Sequence, residues 1–347
     1  MSTRFVAPLC VLSAGIIALL AGWNPAALVQ AQAQKEAAKA APFSPPKTAW
    51  GHPDIHGTYT TNEMNGVPAE RPAELGNKRE LTEEEYARWK VESEQLMRKL
   101  ERSGTGNGPQ HWYEWWNRDS RRTSLVVDPP DGQIPWIPGA KRGGGGSFGR
   151  GVPASWLDLH SWDRCLTRGL PSVMAPQAYN AGLQILQTPT SVVILYEMVH
   201  EARIIPLDGR PHISSSIGQW MGDSRGKWEG NTLVVDVTNF GDKADNTIMA
   251  MGSYMGGGKT MRLVERFTPI SPTRIEYEAT VEDPAKYTRP WTINIPVVKD
   301  DSYRIFEYAC HEGNYAMRHI LSGAREKERK GAAFENSSSD VQRQLVR

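Results

Sequence analysis

The sequence predicts an all-β fold, mainly antiparallel, in which a barrel-like curved sheet carries one or two peripheral helices. Three observations lead there. Apolar, β-branched runs recur near 183–188, 191–199, 202–206, 232–237, 261–268, 273–282, 290–297 and 303–310. Most connections between them are short and carry Asn, Asp, Pro or Gly, as tight turns require. No βα repeat appears, so a parallel doubly wound sheet is excluded and the strands must close on one another or pack as a curved sandwich.

Residues 1–33 read as a signal peptide. Arg4 supplies a basic start, 5–21 is a nearly continuous apolar run, and Ala31 and Ala33 form an Ala-x-Ala cleavage pattern. Cleavage there predicts a periplasmic or secreted chain with no stable membrane span; a retained anchor helix is the alternative, because the apolar run is long. Residues 34–50 form a flexible, Ala/Lys/Pro-rich leader. A single β-rich domain spans 51–322 with a helical and loop insertion over 80–181, and 323–347 is a polar C-terminal tail. The net charge of +1 argues against nucleic acid as a partner.

Cys10 would leave with the signal, so Cys165 and Cys310 remain. In an exported chain two cysteines predict one disulfide, which the chain-entropy estimate values at roughly 4 to 5 kcal/mol for so long a loop. Two buried thiols are the alternative. Arg164 and Arg168 flank Cys165 and would lower a thiol pKa, so a nucleophilic cysteine is the third reading.

Within the insertion, 82–100 predicts a helix: Thr82 and Glu85 form a capping box, and Tyr86, Trp89, Leu96 and Leu100 supply an apolar face. The HWYEWW run that follows places Trp112, Tyr113, Trp115 and Trp116 together. With Tyr196 they are candidate walls of a pocket for a small apolar or aromatic compound, core filler being the alternative. A short strand is expected over 124–127, before a Pro/Gly turn. Two glycine tracts, KRGGGGSFGRG and GGGKT, fail as phosphate loops: the first lacks Gly-Lys-Ser/Thr, and the second has Ser253 where the first glycine belongs and a strand after it. Both are expected to be loops.

From 182 onwards the chain concentrates ionisable groups on strand ends. Glu197, His200, Glu201, Arg203, Asp208, Arg210 and His212 lie within sixteen residues. Strand alternation puts Glu197, Glu201 and Arg203 on one side and His200 on the other unless a turn intervenes near Glu201. An acid/base site needs an imidazole oriented by a carboxylate. The candidate catalytic set is therefore His200, His212 and His311 with Glu197 or Asp208 as orienting groups and Arg203 or Arg210 stabilising developing negative charge. His311-Glu312 is not a zinc motif, since Tyr315 stands where a second histidine is needed. No cofactor is predicted, although a metal held by His200, His212 and His311 from distant strands would leave no short motif.

The segments GLQILQTP, EMVHEARIIPLDGRPH, QWMGDSRGKWEGNTLVVDVTNF, TVEDPAKYTRPW and YACHEGNY resemble a large family of exported bacterial β-rich proteins, mostly uncharacterised, over roughly 52–324. That resemblance implies a secreted β-rich domain and carries no reaction. GKWEGNTLVVDVTNF is also similar to hairpins of lipocalin-type barrels, a likeness of fold that makes the expected sheet lipocalin-like.

Three function classes follow. The first is an exported enzyme using His/carboxylate chemistry on a small apolar or aromatic compound, as a lyase, isomerase or hydrolase. The second is a periplasmic lipocalin-like carrier of a hydrophobic ligand, which needs the pocket without a positioned acid/base pair. The third is an accessory structural protein, which needs a filled interior and an exposed aromatic patch.

Overall fold

The architecture follows from a computed structural model, which describes residues 43–102, 119–140, 152–159, 161–176, 179–241, 248–250, 253–255 and 258–331. The strands are β1 (Gly57–Thr60), β2 (Val126–Asp128), β3 (Gly182–Gln187), β4 (Ser191–Tyr196), β5 (Glu201–Pro206), β6 (Asp223–Glu229), β7 (Thr232–Thr238), β8 (Ile248–Ala250), β9 (Ser253–Met255), β10 (Arg262–Ser271), β11 (Arg274–Glu282) and β12 (Trp291–Lys299). Ten of them form one sheet in the order β5-β4-β3-β1-β12-β11-β10-β7-β6, with β2 added to β12. Every pairing is antiparallel. β8 and β9 make a separate hairpin.

Period-two alternation decides which face turns inward. Leu263, Glu265 and Phe267 on β10, Ile275, Tyr277, Ala279 and Val281 on β11, and Trp291, Ile293, Ile295 and Val297 on β12 are all buried. Val192, Ile194 and Tyr196 on β4 and Leu233, Val235 and Val237 on β7 continue the same lining. Each such aliphatic or aromatic side chain contributes about 1.5–3 kcal/mol of burial. The sheet therefore curls around its apolar face.

The edge strands β5 and β6 meet without sharing a ladder. Arg203 on β5 donates to the Ser224 hydroxyl on β6 from Nε at 3.0 Å and from its second terminal nitrogen at 2.9 Å. Beside it, a Cβ on Gly226 would lie 2.8 Å from both Ile205 Cγ2 and Leu207 Cδ2, so only glycine lets the two edges come this close. The sheet is a nearly closed barrel. The β6–β7 hairpin turns through two residues, the first of which, Gly230, has φ 61, where glycine avoids the cost of a left-handed side chain.

Two helices are peripheral: α1 (Glu83–Arg102) and α2 (Ala316–Arg329). The capping box expected for α1 is present, with Glu85 N donating to Thr82 Oγ1 at 3.2 Å and Thr82 N to Glu85 Oε2 at 2.8 Å. Among the described residues no helix is long and apolar enough to cross a membrane. The Cys165–Cys310 disulfide is formed and joins the loop before β3 to the segment after β12.

Two strand expectations are corrected. The segment 303–310 is not a strand. Both edges of β12 are already taken, by β11 on one side and by β1 and β2 on the other, so its alternating residues pack as an irregular strap. The strand expected over 191–199 ends at Tyr196, because Val199 and His200 take left-handed φ values of 64 and 59 and reverse the chain. The short hairpin β8–β9, which precedes the GGGKT tract, was not among the expected strands.

Candidate functional site

The turn between β4 and β5 organises the polar end of the barrel. Tyr196 and Glu201 face each other across it, and the reversal at Val199 and His200 is costly, since a β-branched residue in the left-handed region is strained by about 1–2 kcal/mol. That turn aims Glu197 at one set of partners and sends Arg203 into the barrel towards another.

Arg203, 5% exposed, forms a two-pronged ion pair with fully buried Glu265 at 3.1 and 2.5 Å. The Tyr277 hydroxyl donates to the same carboxylate at 2.8 Å. Burial works against the Arg203 charge, but the Glu265 carboxylate overcomes it and holds the guanidinium above its ordinary pKa. Tyr277 is pushed well above its ordinary value by burial, then by the Glu265 charge. Tyr196 is pushed up to about 12 by burial, with Arg203 opposing. Its hydroxyl lies near Arg203 and has no hydrogen-bond partner among the described residues. Both tyrosines are neutral at physiological pH.

Glu197 is fully buried, and both of its oxygens are occupied: Asn180 donates to Oε1 at 2.5 Å and the Tyr303 hydroxyl to Oε2 at 2.6 Å. Gly182 permits this, since a Cβ there would stand 2.4 Å from Glu197 Oε2 and 2.6 Å from the Tyr303 ring. Glu201 accepts from Thr167 Oγ1 at 2.6 Å. Burial raises its pKa, with the Thr167 hydrogen bond and the Arg203 charge opposing. The Thr167 loop thus rests on the start of β5.

The histidines lie elsewhere. His212 sits on the outer face of the sheet between Asp223, 2.8 Å from Nδ1, and Asp236, 3.3 Å from Nε2. Arg225 pairs with Asp223 at 2.7 Å and Arg262 with Asp236 at 2.8 Å. Asp208 and Arg210 pair with each other at the surface. His200 and His311 are exposed. The seven candidate catalytic residues are therefore distributed over the barrel interior (Arg203), its end (Glu197), the outer face (His212) and exposed positions (His200, Asp208, Arg210, His311). Among the described residues, no three His, Cys, Asp or Glu side chains converge in a way that could hold a metal.

Comparison with protein-family models, with curated proteins and with solved structures returns no match. The site is read from its own geometry.

Of the pocket candidates, Trp112, Tyr113, Trp115 and Trp116 lie outside the described residues. Tyr196 faces the barrel interior. Sequence reasoning missed Glu265, Tyr277, Ser224, Thr167, Asn180 and Tyr303 as partners. One signal was present: in RLVERF, Glu265 falls in phase with Leu263 and Phe267, a charged residue at an apolar position of a strand. Burying it requires a counter-charge, and Arg203 is that group.

Proposed function

We propose that the protein is a periplasmic or secreted carrier of a small, mostly apolar compound. The observation that carries the reading is a pair of orphaned donors within the aromatic lining. The Tyr196 hydroxyl and the Trp291 indole N–H are both buried without a hydrogen-bond partner. An unmet buried donor costs about 1–3 kcal/mol, and a ligand acceptor inside the barrel offsets that cost. Phe267, Tyr277 and Phe240 supply aromatic surface in the same core.

The enzyme reading has less support. Catalysis by an acid/base pair needs an imidazole or carboxylate free to exchange a proton with a substrate. Glu197 has both oxygens engaged by Asn180 and Tyr303, Glu265 is held by Arg203 and Tyr277, and His212 is clamped between two aspartates on the outside.

Titration with the neutral fluorophore N-phenyl-1-naphthylamine tests the reading. Saturable, one-to-one enhancement is expected, retained in His200→Ala and His212→Ala. A signal that rises linearly without saturation contradicts carriage of an apolar ligand.

A further inference from the structure

Arg168 is buried to 3% exposure, yet among the described residues its guanidinium donates no hydrogen bond and joins no ion pair. The contrast with Arg203 is internal to the molecule. Arg203, buried as deeply, has a carboxylate and a hydroxyl on its nitrogens. Arg168 has a ring on one face, Trp162, with its guanidinium carbon 4.3 Å from the ring centroid. A cation over an aromatic face recovers part of what desolvation costs it. It satisfies none of the five in-plane N–H donors.

The electrostatic surroundings agree. Burial pulls the Arg168 pKa down to about 10, and Tyr179, Tyr308 and Asp163, acting through space, recover only part of the loss. The side chain therefore stays cationic at neutral pH with its charge unmet. Its backbone is firmly placed. Thr167 Oγ1 accepts from Gly169 N at 2.9 Å and donates to Glu201, Ser161 Oγ donates to Thr167 O at 2.8 Å, and Cys165 three residues earlier is bridged to Cys310. The guanidinium is thus held rather than free to swing into solvent.

We infer that Arg168 anchors the anionic head of the ligand, and that this ligand is a singly charged carboxylate with an aromatic or apolar body. The inference rests on the carrier reading and extends it. A planar carboxylate matches the guanidinium fork with two parallel hydrogen bonds. Trp162, on which the guanidinium lies, offers a ring beside which the body of the ligand packs. One negative charge matches the single guanidinium of Arg168. The neighbouring arginine, Arg164, is turned instead to Trp156 and Trp220, at 5.5 and 5.4 Å. A dianion such as a phosphate monoester would carry a second charge that Arg168 alone does not neutralise.

Calorimetric titration of the full mature chain with sodium benzoate and with its neutral isostere benzamide tests this, in the wild type, Arg168→Met and Arg168→Lys. Benzoate is expected to bind the wild type at least about tenfold more tightly than benzamide, with the preference lost in Arg168→Met and weakened in Arg168→Lys, which keeps the charge without the fork. Thermal melting supplies a second readout. Free Arg168→Met is expected to melt at or above the wild-type temperature, because it removes an unpaired buried charge. Equal affinity of the wild type for the two probes, or no binding of either, overturns the anchor. So does a benzoate preference that survives in Arg168→Met. The carrier reading is judged separately by N-phenyl-1-naphthylamine: saturable binding of that neutral probe without a benzoate preference leaves the carrier standing and removes the anchor alone.

Discussion

Arg203 and Glu265 are 62 residues apart in sequence and yet form the most deeply buried ion pair described in the barrel. Taking both charges out of water is expensive, and their attraction repays the cost only while both are present. Glu265→Ala is therefore expected to destabilise the fold by about 3–5 kcal/mol in urea denaturation, because it strands Arg203 in an apolar interior. The double variant Arg203→Met/Glu265→Leu is expected to recover most of that loss. A double variant no more stable than Glu265→Ala would mean that the pair does more than neutralise itself. The sequence marks one half of this pair only as a member of a crowd: Arg203 is one of seven ionisable groups between Glu197 and His212. Its partner is hard to reach that way, since the contact depends on closure of the barrel across the β5–β6 seam. Only the phase of Glu265 within β10 hints at it.

At the scale of elements, the outer face of β6, β7 and the start of β10 is joined by His212, Asp223, Asp236, Arg225 and Arg262. Burial pushes the Asp236 carboxyl up, but hydrogen bonds from Arg262 and His212 outweigh it and hold the group below its ordinary value of 3.8. A depressed carboxylate pKa means that the unfolded chain binds the proton more tightly. Its stabilising contribution is thus fully present above about pH 3.8 and is lost as pH falls through the lower folded value. Asp236→Asn is expected to be less stable than wild type at pH 7 and to show a shallower loss of stability below pH 4, measured by urea midpoints across pH. Parallel acid limbs for the two proteins would remove Asp236 from the account. Elements with local signals were legible: the Thr82/Glu85 capping box and the alternation of β11 both appear as expected. The 303–310 segment misled because its alternation is that of a strand while β12, the strand that precedes it, already has both edges paired. Likewise, nothing in the local pattern of Val199 and His200 announces left-handed backbone.

At the scale of the molecule, an antiparallel curved sheet follows from many short apolar runs without crossover helices, and the near closure follows from it once two edges can touch. Gly226 and the Arg203–Ser224 bond provide that contact. The disulfide between Cys165 and Cys310 was also legible, from an even pair of cysteines left after the expected signal cleavage. The site was legible only as a region. Strand chemistry located the β4–β5 turn, but which groups are saturated and which are orphaned depends on contacts from the 161–176 loop and the strap after β12. The most direct measurement is native mass spectrometry of the protein purified without organic solvent, compared with the same sample under denaturing conditions. A stoichiometric adduct of small-molecule mass on the native species, released unaltered on denaturation and absent from the denatured spectrum, is the predicted result. A native mass equal to the bare chain, in a sample that nevertheless turns over a small substrate, would contradict the carrier and restore the enzyme.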